Sequence, residues 1–507
     1  MTMQSSKTAG LKALMAVSAL TLLASAAAQA ATVSGFKGTT QVDVCALNQC
    51  FRPPDTMGAV GTTQFLETTN GANTIYDKAT GAIISRKSMT QFWTDIGQPG
   101  GANGDQRVLF DHYTNRWIAI GFGSTGNKIN IGVSDTADAM GTWKSTQIVG
   151  AAIGVNGTLD YPTLAMDNKG VYIGTNNFNP GFGSTSLLVI PKTSLFGGAP
   201  STAGMTNFTT PLAGTDRGFA IQAAVNWQGN PGNTVAVVAD SRDFNAQVYY
   251  RVNGVNAPGA TQTASQLIAG TGYNVAGAGR QPDGSRKVDT LSPRITGNAV
   301  QYNGNVYSAH TVQSAVGDFA EVRWNVVSAT TGALVAQGQI GGGGFDYYEG
   351  SIAVNEFGQA VIGYNRSGFA RTDGNGDGLA DGNISFMART FNVDGGGQLV
   401  QEGAELTLKV SLVSDYHCSS RVNPASCRER WGDYSAVTID PTNHHNFFAI
   451  GEYAEEWAVL PNTGGLVRAN WATYIANIGM VPEPETYALM ALGLLAVAGV
   501  ARRRKAA

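Results

Sequence analysis

The sequence predicts an all-β fold, and three observations predict it. Glycine is abundant, 65 of 507 residues, while charged residues make up only 14%; glycine supplies the positive φ angles that tight turns demand. Short apolar runs end in clusters of Gly, Asn and Asp, the punctuation of hairpins rather than of helices. One unit of strand, turn and strand also recurs along the middle of the chain. Long polar stretches without apolar residues are missing, which excludes disorder as the general state.

The recurring unit opens on an acidic residue. It is clearest around Asp105, Asp160, Glu349 and Asp433, and weaker copies begin at Asp55, Asp216 and Asp289, with starts 50 to 84 residues apart. Two further strand-like runs lie between successive hairpins. Four strands per unit, seven times over, is the requirement of a single β-propeller with seven four-stranded blades. A β-sandwich would not repeat one hairpin in this way, and the coils of a β-helix are shorter. The propeller domain is assigned to residues 31–480, and the copies at Asp216 and Asp289 are the degenerate ones. The final strand, Leu466 to Ile478, is expected to pair with the first blade and close the ring, which removes exposed sheet edges.

The blade hairpins resemble those of sialidase-like and other extracellular propellers. Ser134-Asp135 with Gly141-Thr142-Trp143 is similar to the Asp-box turn of sialidases, with a longer internal spacing. The likeness is one of fold. Nothing matches the arginine triad and paired tyrosine of a sialidase, so that activity is not implied.

The two ends read as targeting segments. Residues 1–30 form a signal peptide: Lys7 and Lys12 precede an apolar run from Ala13 to Leu23, and Ala28-Gln29-Ala30 supplies small residues for cleavage before Ala31. At the other end Val481-Pro482-Glu483-Pro484 is followed by an apolar stretch from Tyr487 to Ala501 and by Arg502-Arg503-Arg504-Lys505. This three-part tail, within residues 481–507, resembles the PEP-CTERM signal of Gram-negative bacteria. The resemblance implies cleavage by an exosortase-type protease, release to the cell surface or exterior, and association with exopolysaccharide. Fifteen residues make roughly 22 Å of helix against a hydrocarbon core of about 30 Å. The expected sorting helix is therefore a short anchor, holding the chain at the inner membrane only until the tail is cut.

Four cysteines fit an oxidising compartment. Three connectivities exist; pairing Cys45 with Cys50 and Cys418 with Cys427 closes two short loops, and no CxxC spacing points to zinc. The formal net charge is −3, and the end segments hold six of the 33 basic residues but only two of the 36 acidic ones, so the body is more acidic still. Without a basic run, nucleic acid is excluded as a partner.

Two constellations carry chemistry. Asp373, Asn375 and Asp377 alternate, with glycine at the sixth position and Asp381 at the ninth, the pattern of oxygen ligands around calcium. It resembles the calcium loops of integrin-type propellers and implies Asp373, Asn375, Asp377, the Leu379 carbonyl and Asp381 as ligands. The twelfth position is Ile384 rather than glutamate, so it is not an EF-hand. The second is the acidic set itself: Asp55, Asp105, Asp160, Asp216, Asp289, Glu349 and Asp433, which would share one face around the central channel. Crowded carboxylates raise each other's pKa and serve as acid–base pairs; alternatively each caps a turn. Among them Asp105, Asp160, Glu349 and Asp433 are the candidate catalytic groups. Tyr161, Tyr347, Tyr348 and Tyr434 nearby offer either stacking faces for sugars or packing between blades. His112, His310, His417, His444 and His445 show no ligand spacing. The expected function is a calcium-stabilised surface propeller binding glycan or protein in an exopolysaccharide layer; the alternative is a secreted polysaccharide hydrolase or lyase using the acidic ring.

Overall fold

A computed structural model describes residues 31–209, 218–241, 244–291, 293–417 and 429–480. The signal peptide, the sorting tail, Asp216 and the Cys418–Cys427 pair lie outside the described residues. Among those described, no helix is long and apolar enough to cross a membrane.

The chain is all-β and arranged as a propeller. The first sheet runs in order Met57–Val60, Gln64–Thr69, Ala72–Asp77, Ile83–Ser88, and the second Arg107–Asp111, Arg116–Phe122, Lys128–Ser134, Trp143–Val149. The third holds Thr158–Met166, Gly170–Phe178, Phe182–Pro191 and the short Thr206–Asn207. A later sheet holds Phe345–Val354, Gln359–Gly368, Ser385–Val393 and Leu399–Val410. Each is an antiparallel meander whose first strand is innermost.

Five sheets are separate four-stranded blades, not the seven expected. Most of the other strands form one nine-stranded sheet, because the inner strand Phe219–Asn226 pairs in parallel with Ala299–Tyr302. The facing pairs are Ala224 with Ala299, Val225 with Val300 and Asn226 with Gln301. The two degenerate copies in the sequence, those at Asp216 and Asp289, are the ones that supply these two inner strands. A long excursion between Asn253 and Ala299 makes only strands of two or three residues, among them the stray pair Gly279–Arg280 and Arg286–Val288.

Closure also differs from expectation. Val467–Gly479 does not pair with the first sheet. It takes Thr32–Thr40, a strand ahead of the first repeat, as its outer neighbour, so the last sheet reads Ala436–Ile439, Asn446–Val459, Val467–Gly479, Thr32–Thr40. The seam is pinned by Glu67, fully buried on the first sheet. Its carboxylate accepts from the Thr39 amide at 3.1 Å, the Thr39 hydroxyl at 2.6 Å, the Tyr76 hydroxyl at 2.6 Å and the Thr473 hydroxyl at 2.5 Å. One side chain thereby ties the first sheet to both the N-terminal and the last strand.

The core is distributed between sheets. Val, Ile, Leu and Ala from the first three strands of each sheet face their neighbours, with Trp93, Trp117, Trp431 and Trp471 the largest fully buried side chains. Helix Gln41–Ala46, capped by Thr40, carries Cys45, which is bonded to Cys50 as expected.

Candidate functional site

The inner strands share an unusual start. Asp55, Asp105, Tyr161, Ala220 and Glu349 all have φ between 48° and 57°, a left-handed conformation that side-chain-bearing residues avoid. Each stands just before an inner strand settles into its ladder, and in three of the five the register slips there: between Asp160 and Thr163, Phe219 and Gln222, and Tyr348 and Ser351. The local kink turns these side chains toward the central axis. In the third sheet the residue so placed is Tyr161, one position beyond the aspartate that the sequence singles out.

The structure brings most of the acidic set together. Asp433 donates its amide to Asp55 Oδ1 at 3.0 Å, and Asn70 bridges onward, its Nδ2 2.5 Å from Asp55 Oδ2 and its Oδ1 accepting the Asp105 amide at 2.9 Å. Tyr434 donates to Asp105 Oδ2 at 3.1 Å. Glu349 adjoins Glu452, Asp289, Asp433 and Asp55 closely enough to feel their charges. Asp289 reaches the cluster without opening a strand: the next inner strand begins only at Ala299, and the Asp289 amide is held by the Glu429 carbonyl at 2.9 Å.

Burial dominates the electrostatics. It pushes the Asp55 and Glu349 carboxyls well above the ordinary range, helped by Asp433 and Asp105 around the first and by Glu452 and Asp289 around the second. Asp105 is pushed up to about 7 by burial, then by the charges of Asp433 and Asp160. Glu452 is raised by burial as well, against a lowering from the Thr56 hydroxyl and amide. Asp160 is raised by burial and by Asp433. Arg430, half exposed, reaches Asp433 Oδ1 at 3.2 Å on the rim.

Below the carboxyls the channel is filled. Arg107, 1% exposed, donates through Nε to the Pro162 carbonyl at 2.7 Å and lies 3.9 Å from the centroid of the Tyr434 ring. Tyr434 packs on Tyr161 at 4.8 Å, and the Tyr161 hydroxyl bonds the carbonyls of Ile295 and Asp433, each at 3.1 Å. Tyr347 and Tyr348 are buried between strands too, Tyr348 bonding Ser367 at 3.2 Å. All four tyrosines are packing groups, so the sugar-stacking reading of them falls away.

The acidic repeat was visible in the sequence; Arg107, Arg430 and Glu452 were not. The one signal for Arg107 is a charged residue inside an otherwise apolar strand, Arg107-Val-Leu-Phe110.

The 373–381 loop stands apart on the surface. Its carboxylates bind the loop's own backbone: Asp373 accepts the amides of Asp377 at 3.0 Å and Gly378 at 2.9 Å, Asp377 that of Leu379 at 2.8 Å, and Asp381 that of Gly374 at 3.1 Å. Asn375 donates to Asp377 Oδ2 at 3.1 Å. Among the described residues no three His, Cys, Asp or Glu side chains are grouped as a metal-ligand set. In this arrangement the oxygens are those calcium uses, but they do not converge on one point.

Residues 481–505 match the PEP-CTERM protein-sorting motif. The chain carries a PEP-CTERM tail. The motif implies processing by an exosortase and is consistent with export to the surface or exterior. No curated protein matches the PEP-CTERM chain. Similar solved structures include a protein of unknown function from Dyadobacter fermentans, 10% identical over 88% of this chain and 99% of that one, TM-score 0.36. An α-L-arabinofuranosidase from Podospora anserina in complex with cellotriose is 12% identical over 64% and 91%, TM-score 0.29. The WD40 domain of SCAP from fission yeast is 7% identical over 83% and 80%, TM-score 0.34. No activity passes from these proteins to this chain.

Proposed function

We propose that this is an exported, non-catalytic propeller that binds neutral glycan in an extracellular polysaccharide layer. One observation supports the non-catalytic part: beneath the acidic mouth the channel is packed with Arg107, Tyr434 and Tyr161, each 1% exposed, and Glu349, one of the four carboxyls suited to acid–base work, is itself 1% exposed. A glycosidase needs two carboxyl groups flanking an accessible bond. Here Glu349 and Asp433 are 1% and 9% exposed, and only Asp105 and Asp160 are partly open. The extracellular setting is supported by the sorting tail and by the Cys45–Cys50 bridge.

The same proposal includes two finer points. We read the nine-stranded sheet as two blades fused through their inner strands, which makes a seven-part ring; the inner strands of consecutive sheets contact one another in a closed cycle. We also assign the 373–381 loop to calcium, held by Asp373, Asn375, Asp377, the Leu379 carbonyl and Asp381, which would draw the four side chains away from the amides they now hold.

The test is co-sedimentation of the folded body, residues 31–480, with insoluble neutral polysaccharide, run beside a reducing-end assay on the same samples. The expected result is retention on the polymer with no release of reducing ends. Release that disappears in Glu349→Gln or Asp105→Asn would overturn the reading in favour of a hydrolase.

A further inference from the structure

A different part of the molecule has the shape the channel lacks. Beside the closure seam an open cleft of about 600 Å3 lies between the outer strand of the first sheet, the helix Gln41–Ala46 and the end of strand Asn446–Val459. That is room for one or two sugar rings. Trp457 forms part of the wall, partly exposed, its ring direction set by an Nε1 bond to Asp415 Oδ1 at 3.0 Å.

The polar lining is held in place before any ligand arrives. Arg86 is fixed by Asp43 Oδ1 at 2.7 Å and by the Thr74 hydroxyl at 3.2 Å. Asn470 accepts the Val42 amide at 3.2 Å and donates to Glu455 Oε2 at 3.3 Å, while Glu455 also holds Lys37 at 2.6 Å and the Tyr453 hydroxyl at 2.8 Å. Behind the lining stands the Glu67 pin. A rigid wall of this kind spares a ligand the cost of ordering its site.

From this geometry we infer a binding site for a neutral saccharide in the seam cleft, with Trp457 as the stacking platform. The inference rests on the glycan-binding reading above. An indole presents a flat apolar face to the C–H side of a pyranose. The same lining holds donors (Lys37, Arg86, Asn470) and acceptors (Asp43, Glu455, Glu456), the mixture that vicinal hydroxyls need because each both gives and takes a hydrogen bond. Two cations against three anions leave the cleft slightly negative, which disfavours polyuronates and other acidic polymers.

The experiment is isothermal titration of the folded body with maltohexaose, cellohexaose and mannohexaose, and with hexagalacturonate as the acidic probe. At least one neutral hexaose should bind with a dissociation constant at or below the millimolar range and quench tryptophan fluorescence, while the acidic probe does not bind. Trp457→Ala should weaken binding at least tenfold and Trp457→Phe by less. Glu456→Arg, at an exposed position that leaves the fold untouched, should weaken neutral binding and admit hexagalacturonate. If folded Trp457→Ala and Glu456→Arg bind as the wild type does, the cleft is not the site. Retention of the wild type on polysaccharide together with that result would overturn the cleft alone; a wild type that binds neither polymer nor hexaose would overturn the glycan reading and the cleft with it.

Discussion

Asp105 and Arg107 stand two residues apart and meet water differently. Asp105 occupies the kink at the mouth, where burial and two neighbouring carboxylates lift it to about 7; Arg107 passes beneath and is sealed between the Pro162 carbonyl and the Tyr434 ring. A carboxyl whose folded pKa is raised binds its proton more tightly when folded. Its contribution to stability is then fully present below the unfolded pKa of about 4 and fades as pH climbs through the folded value. Asp55, Asp160, Glu349 and Glu452 shift in the same direction. The melting temperature should therefore fall between pH 5 and pH 8, and Asp105→Asn should flatten that slope while raising the value at pH 8. Differential scanning fluorimetry across the range tests it; a wild-type profile that rises toward pH 8 would show that the cluster does not govern stability.

Among the elements, the hairpins were legible and their exceptions have physical causes. Runs such as Val108-Leu-Phe110 and Trp117-Ile-Ala-Ile120 announce strands because both faces of the first two strands of the blade are buried, which makes the sequence apolar throughout. The third blade was misread by one residue, since Asp160 is the acidic neighbour while Tyr161 takes the left-handed position; only backbone geometry tells them apart. Thr32–Thr40 was missed as a closing strand because pairing across more than 400 residues leaves no local trace. Glu67 was invisible for the same reason, as two of its donors come from opposite ends of the chain. The 373–381 loop shows the limit from the other side: a ligand pattern can be satisfied by its own amides. A cation that binds the folded state adds about 2.7 kcal/mol at a hundredfold excess over its dissociation constant, less here because those amide bonds must be exchanged. Millimolar calcium should raise the melting temperature by a few degrees over chelator, and Asp377→Ala should abolish the rise. An identical melting curve in calcium and chelator would leave the loop as a plain turn.

For the whole molecule, stability depends on keeping the ring shut. The Glu67 carboxylate is where the first sheet, the last strand and the N-terminal strand meet, so its loss acts on closure rather than on one blade. Glu67→Ala leaves the buried Thr39 amide without its acceptor, at about 1–3 kcal/mol, and takes the charged partner from the Thr39, Tyr76 and Thr473 hydroxyls, which keep only their weaker contacts with Thr74, with each other and with the Thr39 carbonyl. The variant should unfold at markedly lower urea than the wild type, with Thr39 and Thr473 peptides losing hydrogen-exchange protection first. Equal protection at the seam and elsewhere would mean that the pin is not what holds the ring.

The closing strand has one more consequence, for whatever is joined to this protein. Thr32 faces Gly479, Met480 is bonded to the His445 carbonyl, and both lie at the end of the last sheet opposite Asp433. The sorting motif begins at the very next residue. From Met480 to Tyr487 the chain can span roughly 24 Å even when fully extended. The leash is short, and both ends of the folded body leave side by side from the rim opposite the acidic mouth. An anchor, a resin linker or a fluorescent partner attached at either terminus therefore stands on the same side, and the mouth is left facing the other way.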